Sequence, residues 1–361
     1  MSQPPLHRTS LHAAHQAAGA KLVPFAGWEM PLDYGSILEE SRTVRQACGL
    51  FDVSHMGRFW FHGPKVAEEL DRALGGAIVD QPVGKARYTV LLTEQGTFLD
   101  DLLTYRVAED RFFMVVNASN REQDFAVLRQ RIQNSDMEDR TLDGGGILAL
   151  QGPDSRRQLA LLNGGNEDFC PAFLDLAWLQ TPEFGELFIA RTGYTGEHGY
   201  EIFANPEQMT AVWQRLMQAG VAPVGLGARD VLRLEAGMPL YGHEIDPQTH
   251  PFEAGLRFAI KGWKTREFVG GEALRAMPEA QRRLIGLTAE KRVPRQGYPL
   301  LCNGREVGQV CSGAWSATLD KPIATAYLEQ GVEGPLTVSA RGREFPVEQV
   351  DLPFVPHRSR N

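Results

Sequence analysis

The chain has 361 residues, 37 Lys and Arg against 45 Asp and Glu for a formal charge of −8, and an apolar content of 43%. That length points to two or three domains at roughly 150 residues each, and the composition is globular, which excludes a disordered or collagen-like chain. No apolar run reaches the ~18–20 residues of a membrane span, and the acidic balance argues against a nucleic-acid-binding protein.

In chain order, Ser36-Ile-Leu-Glu39 is a capping box, in which serine and glutamate each satisfy a free amide. Ile37, Val44 and Cys48 follow at helical spacing, and Gly49 suits a left-handed stop. Residues 64–74 read as a helix stopped by Gly75-Gly76. Residues 88–92, 102–107 and 112–116 read as strands, with a turn at Gly96. Ser119-Asn-Arg-Glu122 repeats the capping device ahead of Phe125, Leu128 and Ile132. Residues 147–150, 187–191 and 200–203 read as further strands, the last two flanking the loop Thr192-Gly-Tyr-Thr-Gly-Glu197. Asn205-Pro206 starts a helix that Gly220 stops, and Gly225-Leu-Gly-Ala-Arg-Asp230 opens another. From Leu284 onward the runs are short, apolar and punctuated by turn residues, with Asn303-Gly304 a hairpin signal. This pattern predicts a small β-barrel or sandwich. The boundary falls near residues 272–282, separating residues 1–271, with two mixed α/β subdomains, from a C-terminal domain over 282–361.

Cys48, Cys170, Cys302 and Cys311 include no C-x-x-C and fit a reducing compartment; Cys302 and Cys311, nine apart in strand-like sequence, could lie on neighbouring strands but read as buried small hydrophobes. Met1 to His7 shows no basic-then-apolar leader, so a cytoplasmic enzyme is expected. Neither a P-loop, nor a G-x-S-x-G elbow, nor an H-E-x-x-H zinc motif occurs. Gly225-x-Gly227 lacks the third glycine of a dinucleotide fingerprint, and His12 and His15 read as a surface pair rather than a metal site.

Four clusters carry chemistry instead. Phe51-Asp-Val-Ser-His-Met56 packs carboxylate, hydroxyl, imidazole and thioether into six residues. Leu99-Asp-Asp-Leu102 sets two acids in an apolar run; on a strand they point to opposite faces, so one faces inward, whereas after Gly96 they equally fit a turn. A buried carboxylate has a raised pKa and acts as acid or base near neutrality. Thr192-Gly-Tyr-Thr-Gly-Glu-His-Gly-Tyr-Glu201 has three glycines that let backbone approach a ligand, two tyrosines to stack and acids to accept hydrogen bonds, or is a glycine-rich hairpin turn. Gly227-Ala-Arg-Asp-Val-Leu-Arg-Leu-Glu235 sets Arg229 near a helix N-terminus, where an anion is favoured, unless Arg229 pairs with a nearby acid.

Taken in order, Phe25-Ala-Gly-Trp-Glu-Met-Pro31, Phe51-Asp-Val-Ser-His-Met56, Leu99-Asp-Asp-Leu102, Val115-Val-Asn-Ala118, Gln151-Gly-Pro153, Arg191-Thr-Gly-Tyr-Thr-Gly-Glu197, Gly225-Leu-Gly-Ala-Arg-Asp230 and Ser312-Gly-Ala-Trp-Ser-Ala-Thr-Leu319 closely resemble the T-protein family of the glycine cleavage system, the aminomethyltransferases. The resemblance covers about residue 6 to residue 356. It implies an α+β fold, a three-domain cloverleaf with folate in its central region and a C-terminal small β-barrel. It implies transfer of an aminomethyl carbon from the lipoyl arm of H-protein to tetrahydrofolate N5, giving 5,10-methylenetetrahydrofolate, ammonia and dihydrolipoyl H-protein. Tetrahydrofolate is then a co-substrate, lipoylated H-protein the partner, and no metal, flavin or NAD takes part.

The resemblance also assigns residues. Asp101 matches the catalytic aspartate, placed to interact with the reacting folate nitrogen and to assist the developing iminium carbon electrostatically. Glu201 matches the acid for the pterin donor edge, N3–H and 2-amino, which a carboxylate meets with two charge-assisted bonds, and Tyr194 lies nearby. Tyr88 and Asn117 match pocket positions, and Met56 and Leu103 match apolar contacts flanking the folate rings. Arg229 matches a substrate-contacting arginine, whose guanidinium suits a folate carboxylate or a pocket acid, while Asp230 supports its helix. In the C-terminal arm, Arg358 is expected as a ligand contact, although a frayed basic tail fits the same residues. Relatives of this fold include flavin-fused sarcosine and dimethylglycine dehydrogenases. The alternatives for a chain of this length are a folate-dependent demethylase acting on a sulfonium or methylamine donor and a non-enzymatic iron–sulfur maintenance factor. The last has a cysteine where this chain reads Gly193-Tyr-Thr-Gly-Glu197.

Overall fold

The computed structural model describes residues 5–277 and 279–359. Two sheets lie face to face at its centre. The first runs, in spatial order, Lys85–Leu92, Phe98–Ala108, Arg111–Val116, Gly57–His62 and Asp136–Asp139. The second runs Leu176–Thr181, Gly185–Ala190, Gly199–Ala204, Gly146–Gln151, Gly49–Asp52 and Ala222–Pro223. All pairings are antiparallel except the last, where Ala222–Pro223 lies parallel to Gly49–Asp52. Tyr105, Phe113 and Val115 of the first sheet pack on Phe51, Ala149, Phe188 and Ala190 of the second, forming the central core. Helices Val66–Ala73 and Arg121–Arg131 cover the outer face of the first sheet through Val66, Leu70 and Leu128. Helix Pro206–Gln218 covers the second through Met209, Val212, Trp213 and Leu216. Both sheets are thus buried on both faces, which is why Arg111–Val116 is buried at every position after its first.

The C-terminal strands close into a barrel in the order Arg282–Thr288, Lys321–Glu329, Arg305–Ser316, Pro299–Cys302, Leu336–Ala340 and Arg343–Val350. Asn303 and Gly304 both take positive φ, 51° and 76°, as the two-residue hairpin turn requires. Helix Leu226–Glu235 anchors the barrel. Val231 and Leu234 pack on Ala314 and Ile323. Arg233, buried, donates to Glu244 at 2.9 Å and to Ser312 at 2.7 Å. Glu235 accepts from Arg45 at 2.8 Å, Ser316 at 2.6 Å and Thr318 at 2.8 Å. The α+β class and the small C-terminal barrel are as the sequence predicts.

Several local expectations need correction. Ser36 Oγ accepts from the Glu39 amide at 3.3 Å, but the Glu39 carboxylate turns to Arg42 instead of reciprocating. Gly49 does not stop the helix Ile37–Gln46; it opens a strand, where a Cβ would collide with Val44 and Val224. Ser119 is not a cap, since Asn120 holds that position and sends its own amide to Asp100. His12 and His15 are no surface pair. His15 is buried, bonded to Asp52 at 2.9 Å and Tyr34 at 2.8 Å, while His12 meets Glu29 at 2.7 Å. All four cysteines are free; Cys302 and Cys311 are buried, as expected, and Cys170 is exposed. The hairpin Lys21–Phe25 with Trp28–Asp33 has no counterpart in the sequence reading. Among the described residues no helix is long and apolar enough to cross a membrane.

Candidate active site

Leu99-Asp-Asp-Leu102 lies within strand Phe98–Ala108, not in a turn. Alternation sends Asp101, Leu103 and Tyr105 toward the second sheet, and Asp100 and Leu102 toward the covering helices. Because both faces of the sheet are covered, both acids turn inward rather than one.

Asp101 is held by two neutral donors. The Tyr88 hydroxyl donates to its Oδ2 at 2.9 Å, and Asn117 Nδ2 donates to its Oδ1 at 2.8 Å. No ion pair reaches it among the described residues. Burial, and then the charge of Asp100, push its carboxyl up to about 7. Asp101, Tyr88, Tyr194 and Arg229 each keep some accessible surface, yet burial is the leading cause of each one's shift. Walls of a cleft combine those properties. Phe258, 70% exposed, stacks on Tyr88 at 5.9 Å and stands at the rim.

Glu201 faces Asp101's sheet from strand Gly199–Ala204. Its Oε2 accepts from Tyr105 at 3.2 Å and from Thr192, while its Oε1 accepts from no described residue. One oxygen is therefore fixed by protein donors and the other is open to a ligand. The Arg229 guanidinium lies 4.7 Å over the Tyr194 ring, and the Tyr194 hydroxyl donates to the Pro239 carbonyl. Among the described residues Arg229 has no ion-pair partner, so the structural pairing considered from the sequence is not formed. Burial lowers its pKa. Asp230 instead meets Arg233 at 2.9 Å.

Met56 and Leu103 line the apolar layer between the sheets. Arg358 stands apart. It lies 3.4 Å from Glu197 and donates to the Arg45 carbonyl at 3.2 Å, docking the arm on the Gly196 turn. Two of the loop's three glycines are required by packing: a Cβ on Gly193 or Gly199 would collide with Gln151. That side chain accepts from Thr195 at 2.8 Å and donates to the Thr192 carbonyl at 3.1 Å, so it shapes the loop from within. Tyr200 does not stack in the cleft; it is buried on the outer face of the second sheet.

Sequence reasoning assigns no role to Tyr105, Thr192 or His55. The first two orient Glu201. His55 is buried, its Nδ1 without a partner among the described residues, and burial followed by the Arg229 charge holds it down to about 4, so it is a neutral neighbour of that arginine. Its motif is visible in the sequence, but its proximity to residue 229 is not. Among the described residues no group of three or more His, Cys, Asp or Glu is arranged to hold a metal ion.

Comparison with known proteins gives the same picture over the whole length. Residues 11–264 match the GCVT N-terminal domain, and residues 282–356 match the glycine cleavage T-protein C-terminal barrel domain. An aminomethyltransferase of Rubrobacter xylanophilus is 44% identical over 99% of this chain and 96% of its own length. One from Thermus thermophilus is 42% identical over 97% and 99%. The crystal structure of glycine cleavage system aminomethyltransferase T from Bartonella henselae superposes with a TM-score of 0.89 at 36% identity, covering 98% of this chain and 99% of that one. The chain belongs to the glycine cleavage T-protein family, the aminomethyltransferases.

Proposed function

We propose that the cleft between the two sheets is where tetrahydrofolate takes its carbon, with Asp101 as the acting carboxylate. As an aminomethyltransferase of the glycine cleavage system, the enzyme moves the aminomethyl carbon from the lipoyl sulfur of H-protein to folate. One C–S and one C–N bond break and two bonds to folate N5 and N10 form. The two N–H protons given up by folate end on ammonia and on the lipoyl thiol.

The observation that carries the assignment is the setting of Asp101: a carboxyl titrating near 7, held by Tyr88 and Asn117, with open surface and no competing cation among the described residues. Ionised, it opposes positive charge developing at the transferred carbon; near neutrality it also suits proton transfer. The open Oε1 of Glu201 fits the pterin donor edge, Met56 and Leu103 fit the ring faces, and the unpaired Arg229 beside Tyr194 fits an anionic group of the substrate. Arg358, exposed on the Gly196 turn, is assigned only to the mouth of the site. We take residues 1–271 as the folate-binding region, 282–361 as the barrel domain, lipoylated H-protein as the partner, and the cytoplasm as the compartment; the four free cysteines support the last.

The test is a single-enzyme assay with tetrahydrofolate and aminomethylated H-protein, following ammonia and methylenetetrahydrofolate together. Equal formation of both is expected. Folate binding with neither product formed would leave the fold and remove the donor.

A further inference from the structure

Asp124 lies behind the cleft, in the first turn of helix Arg121–Arg131, with no accessible surface. Neither of its carboxyl oxygens accepts a hydrogen bond from a described residue. Its carboxyl instead faces that of Asp100, equally buried and within hydrogen-bonding reach. Two carboxylates offer no proton to each other and repel, so this contact requires one proton between them. Asp100 is the acceptor of the pair: it takes the Asn117 backbone N–H at 3.1 Å, Asn117 Nδ2 at 2.8 Å and Asn120 Nδ2 at 2.7 Å. Asp124 accepts nothing from the described residues, so the proton resides on Asp124.

We propose that Asp124 is a positioning residue for the transfer reaction: it holds a proton, donates it to Asp100, and thereby fixes the Asn117 amide that donates to Asp101. The chain of contacts is continuous. Asp124 gives to Asp100, Asn117 gives to Asp100 and Asp101 through one nitrogen, and Tyr88 closes the far side of Asp101. A single negative charge, rather than two, then stands behind Asp101. Burial and the charge of Asp100 push the Asp124 carboxyl up to about 11, which keeps it protonated at neutral pH. The other titratable groups facing the pair are Asp101 on the same strand, Tyr88 on the neighbouring strand and Tyr241 from the segment after helix Leu226–Glu235. Both tyrosines are shifted upward and stay neutral.

The proposal rests on Asp101 as the acting carboxylate, and three measurements on the full chain separate the two. Infrared difference spectra of wild type minus Asp124→Asn at neutral pH are expected to show the C=O band of a protonated carboxyl. Its absence would overturn the proposal regardless of activity. The pH profile of kcat/KM for aminomethyl transfer is expected to keep its acid limb in Asp124→Asn, since one neutral donor replaces another. A limb displaced by about one unit to lower pH would show that an anion had been removed, and would also overturn it. Asp124→Ala is expected to lose about tenfold in rate, which Asp124→Asn restores to within about threefold of wild type. Equal rates in the two variants would remove the positioning role. Undiminished turnover in Asp101→Asn would instead strike the reading of Asp101, while a carboxyl band would still place the proton on Asp124.

Discussion

The hydroxyl of Tyr105, on the first sheet, donates to Oε2 of Glu201, on the second, at 3.2 Å and across 96 positions of sequence. This buried hydrogen bond joins the two sheets. It also leaves Glu201 with a fixed orientation and one oxygen that accepts from no described residue, so the folate edge proposed to bind there would require little further ordering of that side chain.

The first prediction follows from that bond. Glu201→Ala removes the acceptor for two donors and is expected to weaken tetrahydrofolate binding by about 10–100-fold, because hydrogen bonds to a charged group contribute about 1.5–3 kcal/mol. Tyr105→Phe leaves the acceptor but frees its orientation, and is expected to weaken binding about fivefold. Calorimetric titration with tetrahydrofolate measures both. Unaltered affinity in Glu201→Ala would place the pterin edge elsewhere.

Asp101→Asn keeps the shape of the side chain and removes its charge. Turnover is expected to fall by about 10²-fold or more, with folate affinity within a few-fold of wild type. In the wild type, kcat/KM is expected to rise with pH through about 7, where the carboxyl ionises. The same shift bears on stability. The folded pKa lies above the ordinary carboxylate value, so the folded state holds a proton that the unfolded chain has released. Stability conferred by this group therefore falls as pH rises from 3.8 to about 7 and is flat above. Asp101→Asn is accordingly expected to raise Tm at about pH 8 and to leave it near wild type at about pH 4. A lower Tm at both pH values would contradict the placement of the carboxyl.

Arg229 carries the converse trade. It is a half-buried cation with no ion-pair partner among the described residues, set on the Tyr194 ring. Holding it there without an anion costs stability. Arg229→Met is expected to raise Tm in the absence of substrate while raising the KM for folate about tenfold or more. Arg229→Lys keeps the charge but not the planar stacking, and is expected to recover only part of that loss. If neither variant alters KM, the arginine is structural.

Much of the fold is legible in the amino-acid sequence. Asn205-Pro206 starts the helix that it announces, with a capping box to Gln208 that the structure adds, and Asn303-Gly304 forms the hairpin. Those signals are local, written in neighbours that touch each other. The site residues are legible only as a set of motifs in a fixed order, because the contacts that give them chemistry cross long stretches of chain: Tyr105 to Glu201, Arg229 over Tyr194, Asp124 behind Asp100. Asp124 sits among Arg121, Glu122 and Gln123 in a polar helix start, where an aspartate reads as a helix-dipole partner in water. Only the sheet packed beneath it turns it into a buried acid. Strand Asp136–Asp139 escapes for the same reason, since a run of three acids around one methionine reads as loop until Met137 is placed in the core.

The barrel's attachment supplies the last prediction. Glu235 is fully buried at the end of helix Leu226–Glu235 and joins three segments. Its Oε2 accepts from Arg45 Nη2 at 2.8 Å and Nε at 2.9 Å, a two-pronged pairing, and from Thr318 Oγ1 at 2.8 Å. Its Oε1 accepts from Ser316 at 2.6 Å and the Thr318 amide at 3.0 Å. Arg45 in turn reaches Glu197 at 2.9 Å and the Thr195 carbonyl at 2.6 Å, so the same arginine supports the loop that carries Tyr194. Breaking such a buried pair costs about 3–5 kcal/mol when a charge is left alone; Arg45→Ala strips the cation from Glu235, whereas Glu235→Ala leaves Arg45 its bond to Glu197 and costs less. Glu235→Ala is therefore expected to lower the midpoint of urea unfolding and to separate barrel loss from loss of the two-sheet core as distinct transitions. Arg45→Ala is expected to do the same and, through the loop, to weaken folate binding as well. Tryptophan fluorescence and far-ultraviolet circular dichroism, followed together through the titration, distinguish these outcomes. A single coincident transition at the wild-type midpoint would mean that the barrel is held by apolar contacts such as Leu234 on Ile323, with the ion pair contributing nothing.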